Sequence, residues 1–205
     1  MKTVRATSST GEDLSLEEIK EHLRVPAGYT DEDNYLRRIR SIARSVVEDE
    51  TGRKLLRETW YHYIDQWPAG DSIELPYPPF AGLSSRTTGL VYWDADRSST
   101  LLDSSTVIYM DTASLPGRVV LDDDYSWPVE SLHNYNPIRL EFYCGYGDGS
   151  SSDPAIPEAI KQAELLILSD LYETRENSIV GQGYSAVSAP LSAKSLLMPY
   201  KVWKF

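Results

Sequence analysis

The chain has 205 residues, 41% of them hydrophobic and 25% charged, which fits one globular domain, or one domain carrying an inserted subdomain, and excludes a disordered chain. Thirty-one acidic residues against twenty basic ones give a net charge of −11, which argues against gripping the phosphate backbone through a basic patch but not against enclosing a duplex without holding it. Cys144 is the one cysteine, so no internal disulfide forms and a reducing compartment is expected; no secretory leader is expected at the start, and no run approaches the roughly 18 apolar residues of a membrane span.

Residues 1–13 are polar and are expected to be mobile. Ser15 followed by Glu18 is a capping box, each side chain placed to take a backbone N–H of the other. It opens a helix to about Arg24 with Leu16, Ile19 and Leu23 on one face, and Leu14 and Ile19 placed as a hydrophobic staple. A second helix starts at Thr30, a suitable cap, with Asp31, Glu32 and Asp33 where the helix dipole favours negative charge. Tyr35/Leu36, Ile39, Ile42/Ala43 and Val46/Val47 recur at helical spacing, and Gly52 is the expected stop. Arg37, Arg38, Arg40 and Arg44 share the other side; they are either solvated or set against an acidic surface on another copy.

From Leu55 the hydrophobic period changes to two. ETWYHYIDQW, SIELPYPPF, Leu90–Trp93, Thr106–Met110, Arg118–Leu121 and Ile138–Tyr143 read as about six strands of an antiparallel sheet or small barrel. Cys144 ends the last of these and is expected in its core. GYGDGSSSDP is a loop by composition. A helix follows over 153–176, with Pro157 and Glu158 suited to its first turn. Ile160, Ala163, Ile167 and Leu171 form its central stripe; Ala159, Leu165, Leu166, Leu168 and Tyr172 widen the apolar arc to roughly two-thirds of the circumference, interrupted by Glu164 and Asp170. Such an arc fits a helix central in its own domain, or one with a second face on a neighbouring subunit. Residues 177–190 are small, polar and Gly/Ser-rich, and Leu191 to Pro199 has the makings of a short helix before the aromatic, basic ending Tyr200-Lys-Val-Trp-Lys-Phe. The fold class is therefore α+β: a small helical bundle made of an N-terminal helix pair (1–54) and a core helix (153–176), an antiparallel β subdomain inserted at 55–145, and a C-terminal arm and tail (177–205).

No reaction is legible. His22, His62 and His133 show no metal-binding spacing, and neither HExxH nor GxSxG occurs. His62 alternates with Trp60 and Ile64 and reads as a sheet residue; Asp122-Asp123-Asp124 lacks the spaced pattern of a calcium loop and reads as a solvated turn. No catalytic residue, cofactor or metal site is assigned. The Trp/Tyr-rich β region also suits a carbohydrate-binding or adhesion module, since aromatic faces stack on flat groups.

Three stretches carry a family likeness: LSLEEIKEHLRV (14–25), DEDNYLRRIRSIARSVVEDETGRKLLRETW (31–60) and FYCGYGDG followed by IPEAIKQAELLILSDLYETRE. In order and spacing they resemble the head–tail connector (adaptor) proteins of tailed bacteriophages and related gene-transfer particles. The resemblance implies a non-enzymatic protein of the virion neck, assembled in the host cytoplasm as a homo-oligomeric ring of about twelve copies. The ring would sit under the portal protein, extend the double-stranded DNA channel without sequence-specific binding, and receive the next neck or tail-completion protein. An acidic ring suits passage of DNA without adhesion. Under this resemblance the ending is expected to dock on the portal through Tyr200, Lys201, Trp203 and Phe205. Arg37, Arg40, Arg44, Leu165, Leu168 and Tyr172 are the expected subunit-interface residues, with Ile160, Ala163, Ile167 and Leu171 facing the chain's own second helix.

Overall fold

The computed structural model describes residues 1–9, 11–83, 89–102, 108–147, 154–174 and 190–203. The expected strand start at Thr106, most of the loop after Gly147, the arm at 177–189 and Phe205 lie outside the described residues. The chain divides into two compact units: a β unit of Met1–Gly11 with Leu56–Pro154, and a helical unit of Glu12–Leu55 with Ala155–Phe205. The α+β class with an inserted antiparallel β region is what the fold shows.

In the β unit, nine strands occur among the described residues: β1 Lys2–Thr7, β2 Glu58–Ile64, β3 Ser72–Glu74, β4 Phe80–Leu83, β5 Leu90–Trp93, β6 Ser99–Leu101, β7 Ile108–Asp111, β8 Arg118–Leu121 and β9 Ile138–Cys144. The main sheet runs β1-β2-β9-β5-β6, with β4 also pairing β9, and a smaller sheet runs β3-β8-β7. The alternation in β2 and β9 decides which face is buried. His62 and Ile64, and Ile138, Leu140, Phe142 and Cys144, are buried with Leu90 and Tyr92, and the smaller sheet adds Ile73, Val119 and Leu121. The intervening Tyr61, Tyr63, Arg139, Glu141 and Tyr143 point the other way and stay half-exposed. The expectation of a mobile start is corrected: Lys2 to Arg5 pair in register with Tyr63 to Trp60, and Thr3 Oγ1 hydrogen-bonds His62 Nδ1 at 2.8 Å. The polar pattern of β1 is that of an edge strand, exposed along nearly its whole length. Gly145, at the end of β9, has φ +98°, and a Cβ there would collide with the Leu56 carbonyl; the glycine of the GYG signal is required by both backbone shape and space.

The helical unit holds α1 Leu16–Leu23, α2 Asp33–Thr51, α3 Glu158–Glu173 and α4 Leu191–Leu197, followed by a 3₁₀ turn, Met198–Tyr200. The capping box is present in both directions: Glu18 N donates to Ser15 Oγ at 3.1 Å and Ser15 N to Glu18 Oε2 at 2.7 Å. The Ser15 hydrogen bonds hold the Glu18 carboxyl below its ordinary range. Leu14 and Ile19 are both buried. The start of α2 differs from expectation. Thr30 closes a turn with its carbonyl on Asp33 N, the helix begins at Asp33, and no side chain caps it. Lys20 draws Asp33 into a 2.6 Å ion pair while donating to the Tyr29 carbonyl at 2.7 Å, which tethers α1, the turn and α2. Gly52 stops α2 at φ +70°. Leu36, Ile39, Ala43 and Val47 from α2, Ile160, Ala163, Ile167 and Leu168 from α3, and Ala193 and Leu197 from α4 are buried in this unit. Helix α3 packs on α2 and on α4, so its wide apolar arc has two partners within its own chain.

Candidate functional site

The most unusual chemistry of the helical unit lies where Asp13, just before α1, meets α2 and α3. The Asp13 and Glu164 carboxylates are both buried. Arg40 holds this segment through Nη1, 2.9 Å from Glu12 Oε1 and 2.8 Å from the Leu14 carbonyl, while its Nε makes a looser ion-pair contact with Asp13 Oδ1 at 3.6 Å. Arg44 Nε stands 3.7 Å from Asp13 Oδ2. Burial, then the Asp13 charge and a hydrogen bond with it, push the Glu164 carboxyl up to about 10 against the opposing pull of Arg44 and Arg40. Glu164 is therefore protonated at neutral pH. Both Glu164 oxygens and Asp13 Oδ2 lack a partner if each carboxyl is treated purely as an acceptor; one proton on Glu164 makes it a donor to Asp13 and removes the conflict. The only sequence signal for this cluster is the interruption of the apolar arc at Glu164.

The expected interface residues therefore divide. Arg37 is exposed and, among the described residues, reaches Asn34 Oδ1 at 3.4 Å. Arg40 and Arg44 are turned inward onto Asp13, not solvated: their positions flank the Leu36/Ile39/Ala43/Val47 stripe, and a buried carboxylate waits there. Leu168 is wholly buried in its own unit, whereas Leu165 and Tyr172 are half-buried. Tyr172 Oη donates to Glu32 at 2.6 Å, and Tyr35 Oη to the Leu171 carbonyl at 3.2 Å. Ile160, Ala163 and Ile167 are buried as the helix wheel requires, and Leu171 is half-buried.

The described part of the tail folds back on the end of α2. Arg53 Nε donates to the Tyr200 carbonyl at 2.6 Å, Val202 N to the Thr51 carbonyl at 2.8 Å, and Lys201 stands 3.7 Å from Glu50. Held this way, the tail still presents Trp203, 59% exposed, with the Lys201 ammonium 5.3 Å from its ring centre. Met198 and Leu191 are exposed beside it in the chain.

In the β unit, Trp67 and Trp127 stack on each other at 4.8 Å, and Trp127 Nε1 donates to the Gly70 carbonyl, so each indole spends a face on the other. His62 is buried beside Thr3, and burial lowers its proton affinity. Asp122, Asp123 and Asp124 are exposed, and a backbone bond from Tyr125 N to the Asp122 carbonyl closes their turn. No group of three or more metal-ligating side chains occurs among the described residues. No described helix is long and apolar enough to cross a membrane.

No protein-family model matches this sequence, and no curated protein does either. Solved structures do match. A chain from the neck of an empty GTA particle with C6 symmetry aligns with a TM-score of 0.74 at 21% identity. A chain from the virion of a native gene transfer agent (GTA) particle aligns at 0.73 and 20%, and one from the neck of a native GTA particle with C12 symmetry at 0.72 and 19%. Each alignment covers 100% of this chain and 97% of the other. Over both units, therefore, this protein shares the fold of chains found in the neck and virion of GTA particles.

Proposed function

We propose that this chain is a structural, non-enzymatic neck component of a phage-like particle: a head–tail connector that forms a ring of about twelve copies under the portal, lengthens the DNA channel and receives the next neck or tail-completion protein. The single observation that carries the reading is the end-to-end likeness to neck chains of gene transfer agents, 100% of this chain against 97% of theirs. The charge of −11 supports it, because an acidic ring repels the phosphates of a passing duplex. Virion location, assembly in the host cytoplasm and the absence of a membrane partner belong to the same proposal.

Two sets of residues carry contacts in this reading. Tyr200, Lys201, Trp203 and Phe205 dock on the portal, with Trp203 as the exposed aromatic anchor. Arg37, Leu165 and Tyr172 meet a neighbouring copy, while Arg40, Arg44 and Leu168 hold the helices that present them. Electron microscopy of the purified chain with its cognate portal is expected to show a ring stacked on the portal. The tail is tested by Trp203→Ala with Lys201→Ala, because removing residues 191–205 would also strip Ala193 and Leu197 from the core. The substituted chain should stay folded and lose portal binding; unchanged binding rules out the tail. Particles that complete their heads and join tails without the protein rule out the connector reading.

A further inference from the structure

One face of the main sheet is closed by the core of the β unit, and the other carries a half-exposed aromatic surface. Register fixes its members: Tyr61 lies opposite Glu141, Tyr63 opposite Arg139, and Val91 opposite both Arg139 and Leu101. The Arg139 guanidinium lies 5.0 Å from the Tyr61 ring centre and 5.5 Å from that of Trp93. Two apolar side chains sit openly on the rims, Val4 on β1 at 38% exposure and Leu101 on β6 at 51%. Half-exposed Tyr and Trp around an arginine is the composition of a protein-contact core. Lys2 and Arg139 against Glu141 make this face net positive on a chain of −11, and Arg139 has no ion pair among the described residues.

The opposite side of the same sheet carries the complement. The turn at 122–130 exposes Asp122, Asp123 and Asp124, then Tyr125, and at its far end Val129, which is 98% exposed. It is anchored on the core side: Glu130 accepts from Tyr92 Oη at 2.9 Å, and Trp127 stacks on Trp67, which packs edge-on to Tyr92. Tyr92 is a core residue, flanked in β5 by Val91 and Trp93 of the outer face. A copy cannot bring its own turn round to its own outer face, whereas successive copies can pair turn to face indefinitely or until a ring closes.

We propose that the outer face of β1, β2, β9, β5 and β6 receives the acidic 122–130 turn of a second copy of this chain, making a head-to-tail contact between β units. Val129 of one copy seats among the aromatic rings between Val4 and Leu101 of the next, and the Asp122–Asp124 carboxylates face Arg139 and Lys2. This inference rests on the ring reading above and names the surfaces that build the ring. It is tested in full-length protein assembled on the portal. The two rims lie four strand spacings, or about 19 Å, apart, so the double variants V4C/V129C and L101C/V129C should give ladders of linked copies with a long, flexible bis-maleimide, and each single variant none; Cys144 is buried and stays silent. R139E should lower ring assembly at least tenfold at low salt, and D123R/D124R should restore part of it. L101E, at an exposed rim where folding is not at risk, should impair assembly in the same way. Rings that assemble normally with L101E and R139E and give no ladder overturn the contact and leave the neck reading standing. Dimers from V4C alone also overturn it, since the face would then meet itself. A wild-type chain that neither forms rings nor enters particles removes the neck reading and this contact together.

Discussion

Glu164→Gln is expected to stabilise the protein, and to do so more as pH rises. The carboxyl is held at about 10 in the folded chain against an ordinary value of 4.5. Between those values the folded state carries a proton that the unfolded state releases, so stability falls with rising pH throughout the window and levels off below about 4.5. At pH 7 the folded chain bears about 2.5 pH units of this penalty, or about 3 kcal/mol. Glutamine keeps the size of the side chain and a donor for Asp13, and does not titrate. Urea unfolding of wild type and variant at pH 5, 7 and 9 checks the argument. The difference in stability should be under about 1 kcal/mol at pH 5, about 3 at pH 7 and larger at pH 9, with unchanged m-values. Other groups titrate in both proteins and cancel in the comparison. Parallel pH profiles for the two would refute the buried proton, and a variant destabilised at every pH would show that Glu164 is ionised against Arg40 and Arg44.

Lys20→Ala should cost about 3 kcal/mol, because it leaves the Asp33 carboxylate and the Ala27 and Tyr29 carbonyls without their donor; a loss below about 1 kcal/mol in chemical unfolding would mark the pair as no stronger than a surface ion pair. Gly145→Ala should cost more than about 3 kcal/mol, from a positive φ and a clash with the Leu56 backbone acting together. Its check is thermal unfolding followed by near-ultraviolet circular dichroism of the β-unit aromatics, and a near-native midpoint would contradict the packing at the end of β9.

Local chemistry was legible wherever the signal lies within one element. The Ser15–Glu18 box, the Gly52 stop, the alternation of β2 and β9, the helical stripes and the GYG ending all act over a few residues, and the folded chain keeps them. The edge strand β1 was not legible. Lys2–Thr7 shows no buried apolar stripe and is exposed at nearly every position, and an edge strand is held by backbone bonds to a partner 52 or more residues away, here Tyr63 to Thr59. Thr30 shows the limit of capping rules: its side chain suits a cap, yet the Lys20–Asp33 pair draws the helix start to Asp33. The arginines of α2 look alike on a wheel, and only a buried Asp13 separates Arg40 and Arg44 from Arg37.

The burial of α3 divides along the same line. Sequence alone determined that Ile160, Ala163 and Ile167 must leave water, because their apolar area has no favourable alternative, whereas Leu168, expected at a neighbouring subunit, is buried in its own unit in place of the half-buried Leu171. Sequence also determined the α+β order of elements, since hydrophobic period is a property of adjacent residues. Which surfaces cover that arc was decided by tertiary structure: α2 on one side and α4, returned from the far end of the chain, on the other. The fate of Glu164 was decided there too, because a carboxyl's proton affinity depends on the dielectric and charges around it, and those come from Asp13, Arg40 and Arg44, residues that are distant in the chain and meet it only when the helices pack.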